Sequence, residues 1–295
     1  MAGFITVIRN TVAELAGRDD APPARLPAGL PEAVKPAALN GVAMLVEYQG
    51  QAYAQLYCDR LRRFVHRRGV DDALLAEIAR LLAIRMSYHD AIRIAQLKLQ
   101  EPANRARRAV DVRRFRLDEL VSALPEIAGE PLMWLLECIS CSHRTVPIRF
   151  STASWWGVRR LMIESSLRRW RLLSVRYSME RAWVERWLHM IDRALTKQPD
   201  AVAAIVHSAT MIEGYGTGYR HGLAAWHQII DGLAKPVFDG TLVLPDLSAA
   251  IAEARHVPRD PKGEQVRKAI AEIRARAVFP SPLVGEGGAD EVRAG

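Results

Sequence analysis

At 295 residues, 49% of them hydrophobic, the chain is long enough to bury a core without disulfides or metal and too apolar to be disordered. Its formal net charge of +8 comes almost wholly from arginine, with 35 Arg against 6 Lys, a ratio that often reflects composition bias and so identifies no partner. Three cysteines make no framework, Arg9 and Glu14 interrupt the opening Met1–Gly17, and no uncharged apolar run reaches about 18 residues. These features argue against secretion and a membrane span and for a cytoplasmic protein.

Residues 4–16 can form a short amphipathic helix. Arg18 to Pro36, with five prolines and the adjacent Asp19 and Asp20, reads as a linker, so residues 1–35 form an N-terminal segment and residues 36–278 the compact domain. Val42, Leu45, Val46, Tyr53, Leu56, Tyr57, Leu61 and Phe64 keep helical spacing, which predicts one helix over Leu39–Phe64. Gly50 interrupts it at a cost of roughly 1 kcal/mol relative to alanine. Asp71 caps the next helix, which buries Leu74, Leu75, Ile78, Leu81 and Leu82. Ser87, with Asp90 three residues on, resembles a capping box and opens another, with Tyr88, Ile92, Ala95 and Leu99 inward.

Between Glu101 and Arg116 the periodicity fails and Arg105, Arg107, Arg108, Arg113, Arg114 and Arg116 crowd together. This loop or short extended piece is the best electropositive patch. Short helices follow at 117–124 and 131–140, the second opened by Pro131, and then an irregular piece near Val146–Ser151. Trp155–Leu173 is predicted helical, with Arg159, Arg160, Arg168, Arg169 and Arg171 beside Trp155, Leu161, Met162 and Trp170. That spacing favours tryptophans packed in the core behind a rim of snorkelled arginines. Arginine interleaved with tryptophan also suits a basic helical nucleic-acid-binding protein, the alternative function, or a helix lying on an anionic membrane.

Ser178 opens a helix with Trp183, Val184, Trp187, Leu188, Ile191 and Leu195 on one face. Val202, Ile205, Val206, Ala209 and Ile212 line another, starting at Pro199 and stopping at Gly214. Thr217 then caps a helix carrying Leu223, Trp226, Ile230 and Leu233 inward. The joint between them, E-G-Y-G-T-G-Y-R-H-G, gathers Glu213, Gly214, Tyr215, Gly216, Arg220 and His221 into the most plausible polar cluster of the chain. Its glycines resemble a phosphate loop, but a dinucleotide fingerprint follows a strand and here a helix precedes; a packed turn with glycine at positive φ is the expectation. Asp246 and Asp260 start two last helices, carrying Leu247 and Ile251, then Val266, Ile270 and Ile273. Residues 279–295 form a disordered tail rich in glycine and proline.

Cys138, Cys141 and His143 have zinc-like spacing but lack a fourth ligand, so no metal is expected. His221 and His227 fall on different helical faces, and the adjacent Tyr88, His89 and Asp90 point in different directions; no catalytic residue is assigned. With no repeat and no strand set long enough for a sheet, the class is all-α, an irregular multi-helix bundle.

Four stretches together, L-V-E-Y-Q-G-Q-A-Y-A-Q-L-Y-C-D-R-L, I-A-R-L-L-A-I-R-M-S-Y-H-D-A-I-R-I-A-Q, R-R-W-R-L-L-S-V-R-Y-S-M-E-R-A-W-V-E-R-W-L and M-I-E-G-Y-G-T-G-Y-R-H-G-L, resemble in order and spacing the C-terminal helical region of the indolepyruvate ferredoxin oxidoreductase β subunit. The resemblance implies an assembly that oxidatively decarboxylates aryl 2-oxoacids such as indolepyruvate to the acyl-CoA. It implies thiamine diphosphate and iron–sulfur clusters on partner subunits, none on this chain, and ferredoxin as electron acceptor. The family's nucleotide-fold catalytic domain has no counterpart in the 35 or so residues that precede the helical region. The expectation is therefore an accessory or interaction domain, inactive alone, whose partner is a thiamine-dependent oxidoreductase subunit. The joint departs from the family, which usually has a basic residue where Glu213 stands and, in fused chains, often a histidine where Thr217 stands. No catalytic role is carried over to it.

Overall fold

The computed structural model describes residues 21–100, 111–124, 126–152, 155–166, 171–214, 216–258, 260 and 262–278. The chain is all-α. Helices α1 (Lys35–Tyr48), α2 (Gln51–Leu61), α3 (Asp72–Met86) and α4 (Ala91–Gln100) come first. Strand β1 (Asp111–Arg116), α5 (Leu117–Ser122), α6 (Glu126–Cys138), strand β2 (Thr145–Phe150) and α7 (Trp155–Ser166) follow. The rest comprises α8 (Val175–Lys197), α9 (Val202–Ser208), α10 (Gly216–Ile229), α11 (Lys235–Phe238), α12 (Leu247–His256) and α13 (Glu264–Val278).

One helix was expected over Leu39–Phe64; the structure has two. Gly50 stands between them with φ 137°, a region other residues rarely enter, so it redirects the chain and is not a weak point inside a helix. The following turn is set by Asp71, whose carboxylate accepts from the Leu74 N–H at 2.8 Å. Ser87, expected to open the next helix, instead closes α3 through its N–H to the Ala83 carbonyl. Asp90 is the cap of α4, accepting from Arg93 N at 2.6 Å; the three-residue spacing was legible, its phase was not. Similarly Ser174, four residues before the expected Ser178, caps α8 by accepting from Tyr177 N at 3.1 Å. Pro131, expected to open a helix, lies inside α6.

Within the loop or short extended piece expected between Glu101 and Arg116, Asp111–Arg116 is a strand; it pairs antiparallel with Thr145–Phe150, in place of the irregular piece expected near Val146–Ser151, with Asp111 opposite Phe150 and Arg116 opposite Thr145. Phe115, Ile148 and Phe150 occupy one face and pack with Ile94 and Ala95 of α4 and Leu161 of α7 into a small core. Two helices separate the strands in sequence, so neither strand carries a local sign of its partner.

The main core lies among α1–α3 and α8–α13. Trp187 and Trp226 are fully buried there. The expected Pro199–Gly214 helix is α9 flanked by 3₁₀ turns Pro199–Ala201 and Ala209–Met211, and α10 begins at Gly216, one residue before the expected cap Thr217. A π-helical turn Ile230–Ala234 continues α10. There a Cβ on Gly232 would come within 2.8 Å of Ile270 of α13. Of the expected linker, residues 21–34 lie along α2: Leu30 and Val34 are buried, and the Ala24 and Arg25 N–H groups donate to Gln51 and Gln55. The expected helix at 4–16, the rest of the linker before residue 21, Trp170, Arg168, Arg169 and the tail 279–295 lie outside the described residues.

Candidate functional site

The predicted polar cluster at the glycine joint does not converge. Glu213 and Gly214 are exposed, and Tyr215 lies outside the described residues. Arg220 turns to an ion pair with Glu119 at the start of α5, while His221 lines a separate small cleft with Gln228 and Asp260. Gly214 and Gly216 have φ of 78° and 64°, the positive-φ role expected of a turn. Arg105, Arg107 and Arg108 lie outside the described residues. Of the rest of the basic patch, Arg114 and Arg116 share one face of β1 and Arg113 lies on the other with Phe115, because side chains alternate along a strand; Arg116 is tied to Asp118. Cys138 and His143 are exposed and Cys141 half-buried. No group of three or more His, Cys, Asp or Glu side chains placed to hold a metal ion occurs among the described residues.

The polar centre lies elsewhere, in a buried layer where α1, α3, α4, α8 and α10 meet. Arg171, expected at a solvated rim, is 1% exposed. Its Nε and Nη2 donate to the two Asp90 oxygens at 2.8 and 3.0 Å. Nη1 donates to the Tyr48 carbonyl at 3.0 Å and to Gln49 Oε1 at 3.2 Å, and the guanidinium lies 3.9 Å from the Tyr48 ring centroid. Burial alone would lower the Arg171 pKa; the Asp90 carboxylate, with Tyr48 beside it, more than offsets this and raises it. The planar fork of arginine suits this bidentate and stacked geometry, which lysine cannot reproduce.

Glu180 of α8 forms a second node and is also buried. Its carboxylate accepts from Arg85 at 3.3 Å, from Arg176 at 2.8 Å and from the Tyr219 hydroxyl. Tyr53 and Tyr48 donate to the Met86 and Tyr88 carbonyls, so the aromatic side chains cap the end of α3. Tyr88 Oη and Arg176 Nε are buried without a hydrogen-bond partner. One signal in the sequence pointed here: Glu180 falls four residues before Val184 and seven before Trp187, on the buried stripe of α8. A carboxylate on such a stripe requires a buried counter-charge.

Beside the layer a cleft of about 440 Å³, counting its open mouth, is lined by His89, Asp90, Phe115, Glu119, Arg176 and Gly216. It thus unites Gly216 of the joint with two members of the Tyr88–His89–Asp90 run. His89 is exposed as a residue, and the partial desolvation of its ring, followed by the charges of Arg93 and Arg113, pushes its pKa down. Asp90, Glu119 and Arg176 are each engaged by another side chain of the chain itself, an arrangement that clamps helices together.

Fold and polar layer define an all-α protein whose helices are cross-linked by buried arginine–carboxylate pairs. The chain belongs to DUF6537, a family of unknown function, whose profile matches residues 34–232. That span contains every residue of the buried layer, from Tyr48 to Tyr219. No curated protein and no solved structure matches the chain. No described helix is long and apolar enough to cross a membrane.

Proposed function

We propose that the chain is an accessory domain of an indolepyruvate-type 2-oxoacid ferredoxin oxidoreductase assembly, binding a thiamine-dependent subunit and performing no chemistry alone. One observation supports this reading above others. The four stretches that resemble the oxidoreductase helical region are far apart in sequence, yet each contributes to the same buried layer. The first supplies Tyr48, Gln49 and Tyr53, the second Arg85, Tyr88 and Asp90, the third Arg171, Arg176 and Glu180, and the fourth Tyr219. A resemblance carried by residues that build one polar centre is a resemblance in what organises the fold, beyond shared helical composition.

In this reading thiamine diphosphate and the iron–sulfur clusters belong to partner subunits, and the chain works in the cytoplasm, in keeping with its three free cysteines. The test is to purify the chain alone and with its neighbouring oxidoreductase subunits. The expected result is no indolepyruvate-dependent reduction of ferredoxin by the chain alone and co-elution with the thiamine-dependent subunit. Turnover by the isolated chain, or failure to bind any oxidoreductase subunit, overturns the proposal.

A further inference from the structure

Helix α7 is amphipathic in the wrong sense for a free surface. Its inward side holds Leu161, 1% exposed, against α4 and the sheet, while Trp156 is 74% exposed and Trp155, Met162 and Ile163 are exposed with it. The sequence pattern places Trp155 in the core; solvent exposure is the correction, because the small core beneath α7 is already closed by Ile94, Phe115 and Phe150. At about 100° per residue, Met162, Trp155, Arg159, Ile163, Trp156 and Arg160 follow one another around an arc of roughly 160°. Arg159 stands in the middle of that arc. Its guanidinium lies 5.2 Å from the Trp155 ring centroid, and the Trp155 and Trp156 rings pack edge to face at 4.7 Å.

We infer that the outer face of α7 is the docking surface for a partner protein, through a patch that is apolar around its centre and presents a carboxylate to Arg159. This rests on the reading of the chain as one part of an assembly. Exposed tryptophan, methionine and arginine are the residues enriched at protein interfaces and their hot spots. A guanidinium at the centre of such a patch, once covered, needs an opposing negative charge. The same feature argues against the other occupants. A helix that lies in a lipid surface keeps its cations on the polar face and its apolar stripe unbroken, and here the cation interrupts the stripe. A two-fold pairing of identical copies would bring like charges together across the axis. Nucleic acid would use arginine and tryptophan but leave Met162 and Ile163 without apolar cover.

The test introduces photo-crosslinking benzoylphenylalanine at Trp156 of the full chain, in the cells the gene comes from, and identifies the crosslinked species by mass spectrometry. The expected product joins position 156 to a protein peptide containing Asp or Glu, and Arg159→Glu lowers its yield about tenfold or more, as for a hot-spot contact. Circular dichroism should show Arg159→Glu folded with an unchanged melting temperature. Crosslinking to a second copy, to phospholipid or to nucleic acid, no crosslinking at all, or a yield unmoved by Arg159→Glu overturns the inference. If the charge-dependent partner is a protein unrelated to oxidoreductases, the docking surface stands and the proposed function falls. If an oxidoreductase subunit binds the chain with no charge-dependent crosslink at position 156, the function stands and the surface falls.

Discussion

Arg171 and Asp90, 81 positions apart, meet in two hydrogen bonds of 2.8 and 3.0 Å, with the Arg171 side chain 1% exposed. The pair ties the start of α4 to the turn before α8, and the Tyr48 carbonyl and ring bring in the end of α1. Removing one partner of such a pair leaves the other charge buried and unopposed. Arg171→Met is expected to reduce the free energy of unfolding by about 3–5 kcal/mol in a urea titration. Arg171→Lys should recover only part of that loss, since an ammonium cannot hold both Asp90 oxygens and stack on Tyr48. A loss below about 1 kcal/mol for Arg171→Met would show that the pair is not what joins these helices.

In the main core the Trp226 indole N–H donates to Ser208 Oγ at 2.9 Å, and Ser208 donates in turn to the Ile205 carbonyl at 2.6 Å. Trp187 donates to that same carbonyl at 3.1 Å. Ser208→Ala leaves the Trp226 donor buried without an acceptor, which should cost about 1–3 kcal/mol and alter the near-ultraviolet circular dichroism of the tryptophans. An unchanged spectrum and stability would mean that the relay carries no energy.

Two glycines should respond in opposite senses to alanine. A Cβ on Gly41 in α1 would come within 2.6 Å of the Tyr57 hydroxyl and 3.1 Å of Ala83, so Gly41→Ala should destabilise by about 1–3 kcal/mol through overpacking. Gly218 lies in the first turn of α10 with nothing within 4 Å of an added Cβ. Gly218→Ala should therefore stabilise by up to about 1 kcal/mol. Thermal melts of the two variants against the parent decide both signs.

Acid should weaken the fold through two histidines. Partial desolvation, then Arg93 and Arg113, depress the His89 pKa; burial, then Arg186, depress that of His227. A base with a depressed folded pKa is more readily protonated in the unfolded chain. Its contribution is complete above the ordinary value of about 6.5 and is lost as pH falls through the depressed folded values. The melting temperature should accordingly fall between pH 7 and pH 5. The double substitution His89→Gln and His227→Gln should flatten that fall; a slope identical to the parent's would assign it to other groups.

Thiol labelling should separate the cysteines. Burial, with Asp59 nearby, pushes the Cys58 thiol up to about 11, and its side chain is inaccessible. At pH 8 a disulfide reagent should modify the exposed Cys138 and leave Cys58 untouched until denaturant is added, because the thiolate is the reacting form. Rapid labelling of Cys58 in the native chain would contradict the packing around α2.

The helices were legible because their signal is local. Apolar residues at three- and four-residue spacing mark a helix whatever it packs against, and the carboxylates of Asp71, Asp246 and Asp260 accept N–H bonds at helix starts as expected. The joint was legible in its backbone, with Gly214 at positive φ, but not in its company: Arg220 and His221 are adjacent in sequence, yet the first pairs with Glu119 and the second lines a cleft with Gln228 and Asp260. A linear pattern gives the order of side chains around one helix and says nothing of what stands opposite.

Spacing and capping chemistry therefore dictated the all-α class and helix starts such as those at Asp71, Asp246 and Asp260. Pairing across distance was settled only by the packed fold. Arg171 looks like a solvated charge in sequence because its counter-charge, Asp90, lies 81 positions away. Trp155 looks like core by its helical spacing and is exposed in the fold. A charge or an indole is buried or exposed according to what meets it in space, and that is a property of the assembled helices.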